Sequence, residues 1–182
     1  MADITRARYG PYQLAAAVLA EPRQDPIVVL ESRPWPSDVG VQLARTDAVF
    51  SERHLVASFY AAATTMMTGA ARSRRIEVEF LLRLTARRQI ADALRVAGLV
   101  GGESEVLLVV ISWGNEDPSA WLRRIAETLG GKLRPMRFEK DASRVGETCG
   151  LTETQLGATP PCSYADTFEL LVMEKTVASY IE

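Results

Sequence analysis

SERHLVASFYAAATTMMTGAARSRRIEVEFLLRLTARRQIADALRVAGL, residues 51–99, reads as three consecutive helices, each with its own start and stop signal. Ser51 caps the first, Leu55, Phe59, Ala62 and Met66 recur at helical spacing, and Gly69 ends it. Ser73 caps the second, which carries Ile76, Phe80 and Leu84 on one side. Thr85 caps the third, with Ile90, Ala93, Leu94 and Ala97 inward and Gly98 as a left-handed terminator. The middle segment, IEVEFLLRL, also alternates through Ile76, Val78, Phe80, Leu82 and Leu84, so a strand competes with the helix there.

Outward from this block, both flanks read as strand-rich. On the N-terminal side YQLAAAVLA (12–20) is a buried strand after Gly10-Pro11, and Pro22 and Pro26 bracket a polar turn. The β-branched IVVLES from Ile27 reads as its hairpin partner. RPWPSDVG is a loop whose Trp35 packs down as a lid on the core, and VQLA from Val41 restarts as a strand. On the C-terminal side Gly101-Gly102 turn the chain into an apolar central strand from Val106 to Ile111. Asp117-Pro118 opens a helix with Leu122, Ile125, Ala126 and Leu129 inward, stopped by Gly130-Gly131. LRPMRF returns as an edge strand, because Pro135 has no amide for a central place. A polar helix starts near Lys140, and Thr152 to Gln155 form a capping box. Ser163 caps a last helix that buries Leu170, Met173, Val177 and Ile181. The expected architecture is α/β of the mixed α+β kind: one domain over 1–182, a mixed sheet of about four strands packed against several helices.

A chain of 182 residues that is 47% hydrophobic can bury a sizeable core. No apolar run approaches the roughly 20 residues of a membrane span, and MADITRARYG lacks the apolar centre of a secretory signal. A cytoplasmic location and no membrane partner are the expectations. Cys149 and Cys162 are too few for a disulfide framework or zinc site, so free thiols are expected. The formal net charge is −2, yet residues 72–95 hold seven arginines against Glu77, Glu79 and Asp92, a segment of +4. A local patch of this kind attracts phosphate although the whole molecule is acidic. Lysine appears only at 132, 140 and 175, so a preference for arginine accounts for the residue type but not for the clustering.

Catalytic chemistry is not assembled anywhere in the sequence. The sole histidine, His54, lies in the first turn of a helix beside Glu52 and Arg53, where a surface or capping role is the ordinary one. GLVGGE lacks the GK[ST] end of a phosphate-binding loop, and no metal-ligand spacing exists. Glu77 and Glu79 point to different sides of a helix and make no acid/base pair. The expectation is a protein without enzymatic activity, cofactor or metal. Glu79, among Phe80, Leu81 and Leu82, must meet an arginine or helix N-terminal amides, since an unpaired buried carboxylate is costly. Pinning the next helix is its structural reading and partner contact its functional one.

The order His54-Leu55, Glu79, Leu81-Leu82, Arg88-Gln89-Ile90, Ala93 and Gly98 resembles the small PRPK-binding subunit of the KEOPS complex. A weaker likeness lies in LLVMEKTVASYI, through Glu174. The tail around Pro160-Pro161 and the proline-rich N-terminal loop depart from the family's pattern. The resemblance implies a non-catalytic subunit that binds a PRPK-type kinase-like ATPase. It also implies recruitment of tRNA, by its 3′ CCA end, for threonylcarbamoyladenosine modification beside the anticodon. Arginine suits single-stranded RNA because it supplies both charge and a planar stacking surface. The candidate RNA contacts are Arg72, Arg74, Arg75, Arg83, Arg87 and Arg88. Arg74 and Arg75 stand at a helix N-terminus, and Arg87 and Arg88 in the first turn of the next, where a cation calls for an anion nearby. Partner contacts fall on the last two helices that carry the resemblance: Ile90, Leu94, Val172 and Met173. The other reading is a purely protein-binding regulator of the ATPase, with solvated arginines.

Overall fold

A computed structural model of the chain describes residues 4–138, 142–160 and 166–179. The architecture is mixed α/β and divides into two compact units, each drawn from separate stretches of sequence. The first comprises Met1–Thr46, Arg75–Glu77 and Gly98–Arg137; the second comprises Asp47–Arg74, Val78–Ala97 and Phe138–Glu182.

The first unit is built on a five-stranded sheet: β1 (Thr5–Tyr9), β2 (Tyr12–Ala20), β3 (Val39–Ala44), β4 (Glu105–Trp113) and β5 (Lys132–Arg134). The order is β1-β2-β4-β3, and every pairing is antiparallel among the described residues. β5 pairs with Val18–Ala20 on the edge of β2 whose other end is taken by β1. The pair β2 and β4 is central, from Tyr12↔Trp113 to Ala20↔Glu105. Both side-chain sets of these strands are buried, which is why their sequences run apolar without alternation. One set, with Ala15, Ala17 and Leu19, joins Val41, Leu43, Val106, Leu108 and Val110 in a single cluster. Leu122, Ile125, Ala126 and Leu129 of α5 (Pro118–Leu129) complete it. Asp117 caps α5 by accepting from the Ser119 amide, Pro118 occupies the first turn, and Gly130 closes it at φ 66°. Trp35 rests against the same cluster, as its loop position implies.

Two expectations for this unit change. Residues 26–32 are not a hairpin strand but a helix, α1 (Pro26–Ser32), with only Val29 buried. Asp25 accepts from the Ile27 amide and Pro26 starts the turn, so local capping prevails over the β-branched run. The sheet also gains a strand, β1, ahead of the first one read from the sequence.

The second unit is helical. α2 (Glu52–Thr68), α3 (Ile76–Leu84) and α4 (Ile90–Ala97) are the three helices expected, and α3 settles as a helix; its first two residues belong to the first unit. Ser51 caps α2 through the His54 amide, and Gly69 terminates it at φ 72°. Thr85 does not open α4. Its hydroxyl donates to Leu81 O at 2.9 Å, and Ala86 takes the left-handed place at φ 50°. The Ala86 amide bonds Arg83 O and the Arg87 amide Leu82 O, the paired bonds of a Schellman ending in which alanine replaces the usual glycine. Gly98 is likewise not left-handed; Gly101 and Gly102 make the turn.

Beyond these lie α6 (Ala142–Cys149), α7 (Glu153–Ala158) and α8 (Thr167–Ala178). The capping box of Thr152 and Gln155 is present. α8 is capped by Asp166, and Leu171, Val172 and Thr176 turn inward while Leu170 and Val177 are exposed. The buried stripe is thus one residue away from the expected one. Val172 forms a small core with Phe50, Val145 and Cys149, where the Phe50 and Phe168 rings stand 4.8 Å apart. Lys140, Cys162, Ser163 and Ile181 lie outside the described residues. Among the described residues, no helix is long and apolar enough to cross a membrane.

Candidate functional site

Glu79 is the hub of the helical unit. Its carboxylate is fully buried and receives five donors from three parts of the chain. Arg83, one turn further along α3, donates through Nε at 2.9 Å and through a terminal nitrogen to Oε1. The amides of Arg72 and Ser73 donate to Oε2 at 3.0 and 3.1 Å, and the Thr65 hydroxyl of α2 reaches Oε1 at 3.3 Å. A charge so enclosed is tolerated because every lone pair is used. Glu79 therefore pins the linker before its own helix, rather than the turn of the next one. Arg83 is itself buried and donates to Ser179 Oγ at 3.3 Å.

His54 is buried too, not on the surface. Nδ1 accepts from the Phe50 amide at 3.2 Å and Nε2 lies 3.0 Å from Leu84 O, so the ring is the neutral Nε2–H tautomer. Burial pushes its pKa down to about 4. Cys149 also points at Leu84 O, at 3.7 Å, and burial raises its thiol to about 12. Both groups satisfy the carbonyl end of α3. Cys149 is a free, inert thiol.

The six candidate arginines do not share one role. Arg83 is consumed by Glu79, which removes it from any RNA surface. Arg87 donates to the carbonyls of Glu147 and Thr148 at 2.8 and 3.2 Å, closing the C-terminal turn of α6. Arg75 belongs to the first unit and pairs with the buried Glu77 at 2.6 Å. Arg72, Arg74 and Arg88 are exposed. Partial burial and the nearby guanidiniums of Arg83 and Arg88 lower the Arg72 pKa, so these cations lie within electrostatic reach of one another. Arg88 also borders a pocket of about 490 Å³ lined by Gln155, Glu174, Lys175 and Ser179.

Two local arguments for an anion at this place do not survive. The amides of Arg72 and Ser73 already hold the Glu79 carboxylate. Arg87 and Arg88 precede α4, which begins at Ile90, and are not in its first turn.

The apolar candidates also divide. Ile90 and Leu94 are about half exposed, at 46% and 48%, because Ala93 and Ala97 take the inner face of α4. Met173 lines a shallow groove with Val56, Ala57 and Tyr60 of α2. Val172 is fully buried and packs the core, which takes it off any surface a partner could touch.

Residues 30–154 match one family model, that of the kinase-binding protein CGI-121. The chain belongs to the CGI-121 family, a family of kinase-binding proteins. The matched range holds Glu79, His54 and all six arginines but stops short of Glu174 and α8. Comparison with curated proteins gave no match.

Proposed function

We propose that this chain is a non-catalytic subunit of a KEOPS-type assembly, working in the cytoplasm, that binds a PRPK-type kinase-like ATPase and brings tRNA to it by the 3′ CCA end. Family membership supports the kinase partner. The RNA role rests on one observation: Arg72 and Arg88, exposed and within electrostatic reach of each other beside a polar pocket. Arg74, on the same linker, extends that charge. Ile90 and Leu94 are the partner-facing residues this reading favours, since they are apolar, exposed and dispensable to the core.

An Arg72, Arg74, Arg88→Glu variant should fold as the parent does and retard tRNA far more weakly. The slope of log affinity against log salt should fall by roughly 2, at about 0.7 per phosphate contact on a single strand. Removal of the CCA end should produce the same loss in the parent. An Ile90, Leu94→Arg variant should keep tRNA binding and lose the kinase. Unchanged tRNA affinity in the folded arginine variant would leave the second reading, a regulator that touches only the ATPase.

A further inference from the structure

The chain has a second cationic pocket, on the sheet unit, that the arginines of residues 72–88 have no part in. Arg6 and Arg8 are two apart on β1 and therefore share a face of the strand. Their antiparallel partners are Ala15 and Gln13, on the side where Ala17 and Leu19 pack with α5. That register brings both arginines to the first turns of α5, where Arg6 Nε donates to the buried Ser119 hydroxyl at 2.9 Å. Arg123 stands one turn further along the same helix. The three guanidiniums, with Gln13, Ser119 and Asp117, line a pocket of about 400 Å³.

The charge is uncompensated. Arg33, Arg53, Arg75, Arg95, Arg134 and Arg144 each have a carboxylate within 4 Å. Arg6, Arg8 and Arg123 have no ion pair among the described residues. The one acid at the rim, Asp117, is occupied as the cap of α5, accepting from the Ser119 amide at 2.9 Å. The lining thus carries a formal +2 in a chain that is acidic overall. One guanidinium fork suffices for a planar carboxylate, whereas donors from a strand and from a helix, with a carboxamide opposite, suit the several oxygens of a tetrahedral phosphate.

We infer that this pocket holds a phosphate group, either of a small phosphate ester or of an RNA strand. The site does not depend on the tRNA reading above, because its arginines are different ones.

The test follows the Arg6 Nε–H resonance during titration with inorganic phosphate, then with an oligoribonucleotide lacking a terminal phosphate. A saturable shift with phosphate, absent with chloride at equal ionic strength, is expected. In Arg8, Arg123→Gln the affinity should fall at least about a hundredfold, since two charge-assisted bonds are lost together. The Arg72, Arg74, Arg88→Glu variant should keep the parent's affinity at Arg6. A response to the oligoribonucleotide at lower concentration assigns the site to an RNA strand; a response to phosphate alone assigns it to a small ester. No saturable shift, an equal shift with chloride, or unchanged affinity in Arg8, Arg123→Gln overturns the inference. So does loss of the phosphate response in the Arg72, Arg74, Arg88→Glu variant.

Discussion

Glu79→Ala should lose about 3–5 kcal/mol of folding stability, the usual result of stripping one partner from a buried ion pair. The mechanism is specific. Without Glu79 the buried Arg83 guanidinium loses the carboxylate that it donates to through two nitrogens, and the Arg72 and Ser73 amides lose their acceptor. Against a typical total of about 5–15 kcal/mol, the variant should still fold but melt far earlier. Glu79→Gln separates charge from shape, since an amide oxygen can still accept from the linker but removes the negative charge that faces Arg83. It should retain most of the loss. Replacing both partners with apolar residues of similar volume should be much milder than either single change. Urea denaturation of the three variants reads these differences directly. A Glu79→Ala loss below about 1 kcal/mol would mean that water reaches the pair and screens it, as at a surface.

The second large effect is acid sensitivity through His54. Unfolded, its imidazole titrates near 6.5; folded, burial holds it neutral down to about 4. The unfolded chain therefore binds the extra proton between these values, so stability rises with pH across that window. The contribution is complete above pH 6.5 and is lost as the pH falls toward 4, by about 3 kcal/mol in all. Assignment is clean because this is the only histidine in the chain. Carboxylates with lowered values, such as Glu103, act only at the acid end of the range. Denaturation between pH 7 and 5 should show a slope approaching 1.4 kcal/mol per pH unit, removed in His54→Gln. Imidazole NMR shifts in the folded parent should stay at their neutral values through pH 5. A titration midpoint near 6.5 in the folded protein would contradict the burial argument.

These two residues show where sequence reading succeeds and where it stops. The helix boundaries at Ser51, Gly69, Asp117, Gly130 and Thr152 were legible because a cap is a bond between residues two to four apart, and its donors and acceptors are written side by side. Asp25-Pro26 carried the same signal, and the β-branched run after it obscured a helix that the cap had specified. The central strands were legible from continuous apolar runs, and membership of the CGI-121 family from the order of residues between His54 and Gly98.

Tertiary structure decided which face of each helix is inside. In α4 two alanines pack inward and leave Ile90 and Leu94 outside; in α8 the buried stripe shifts by one residue and takes in Val172. Hydrophobicity ranks such faces wrongly when the space available fits only a small side chain. The arginines were sorted in the same way. A sequence counts charge but cannot say that Arg83 meets Glu79 in the interior, although their i,i+4 spacing was the available hint, or that Arg87 closes the end of α6. Nor could it bring Arg6 and Arg8 to Arg123, more than a hundred residues away, because strand register is fixed by long-range pairing and not by local bonds.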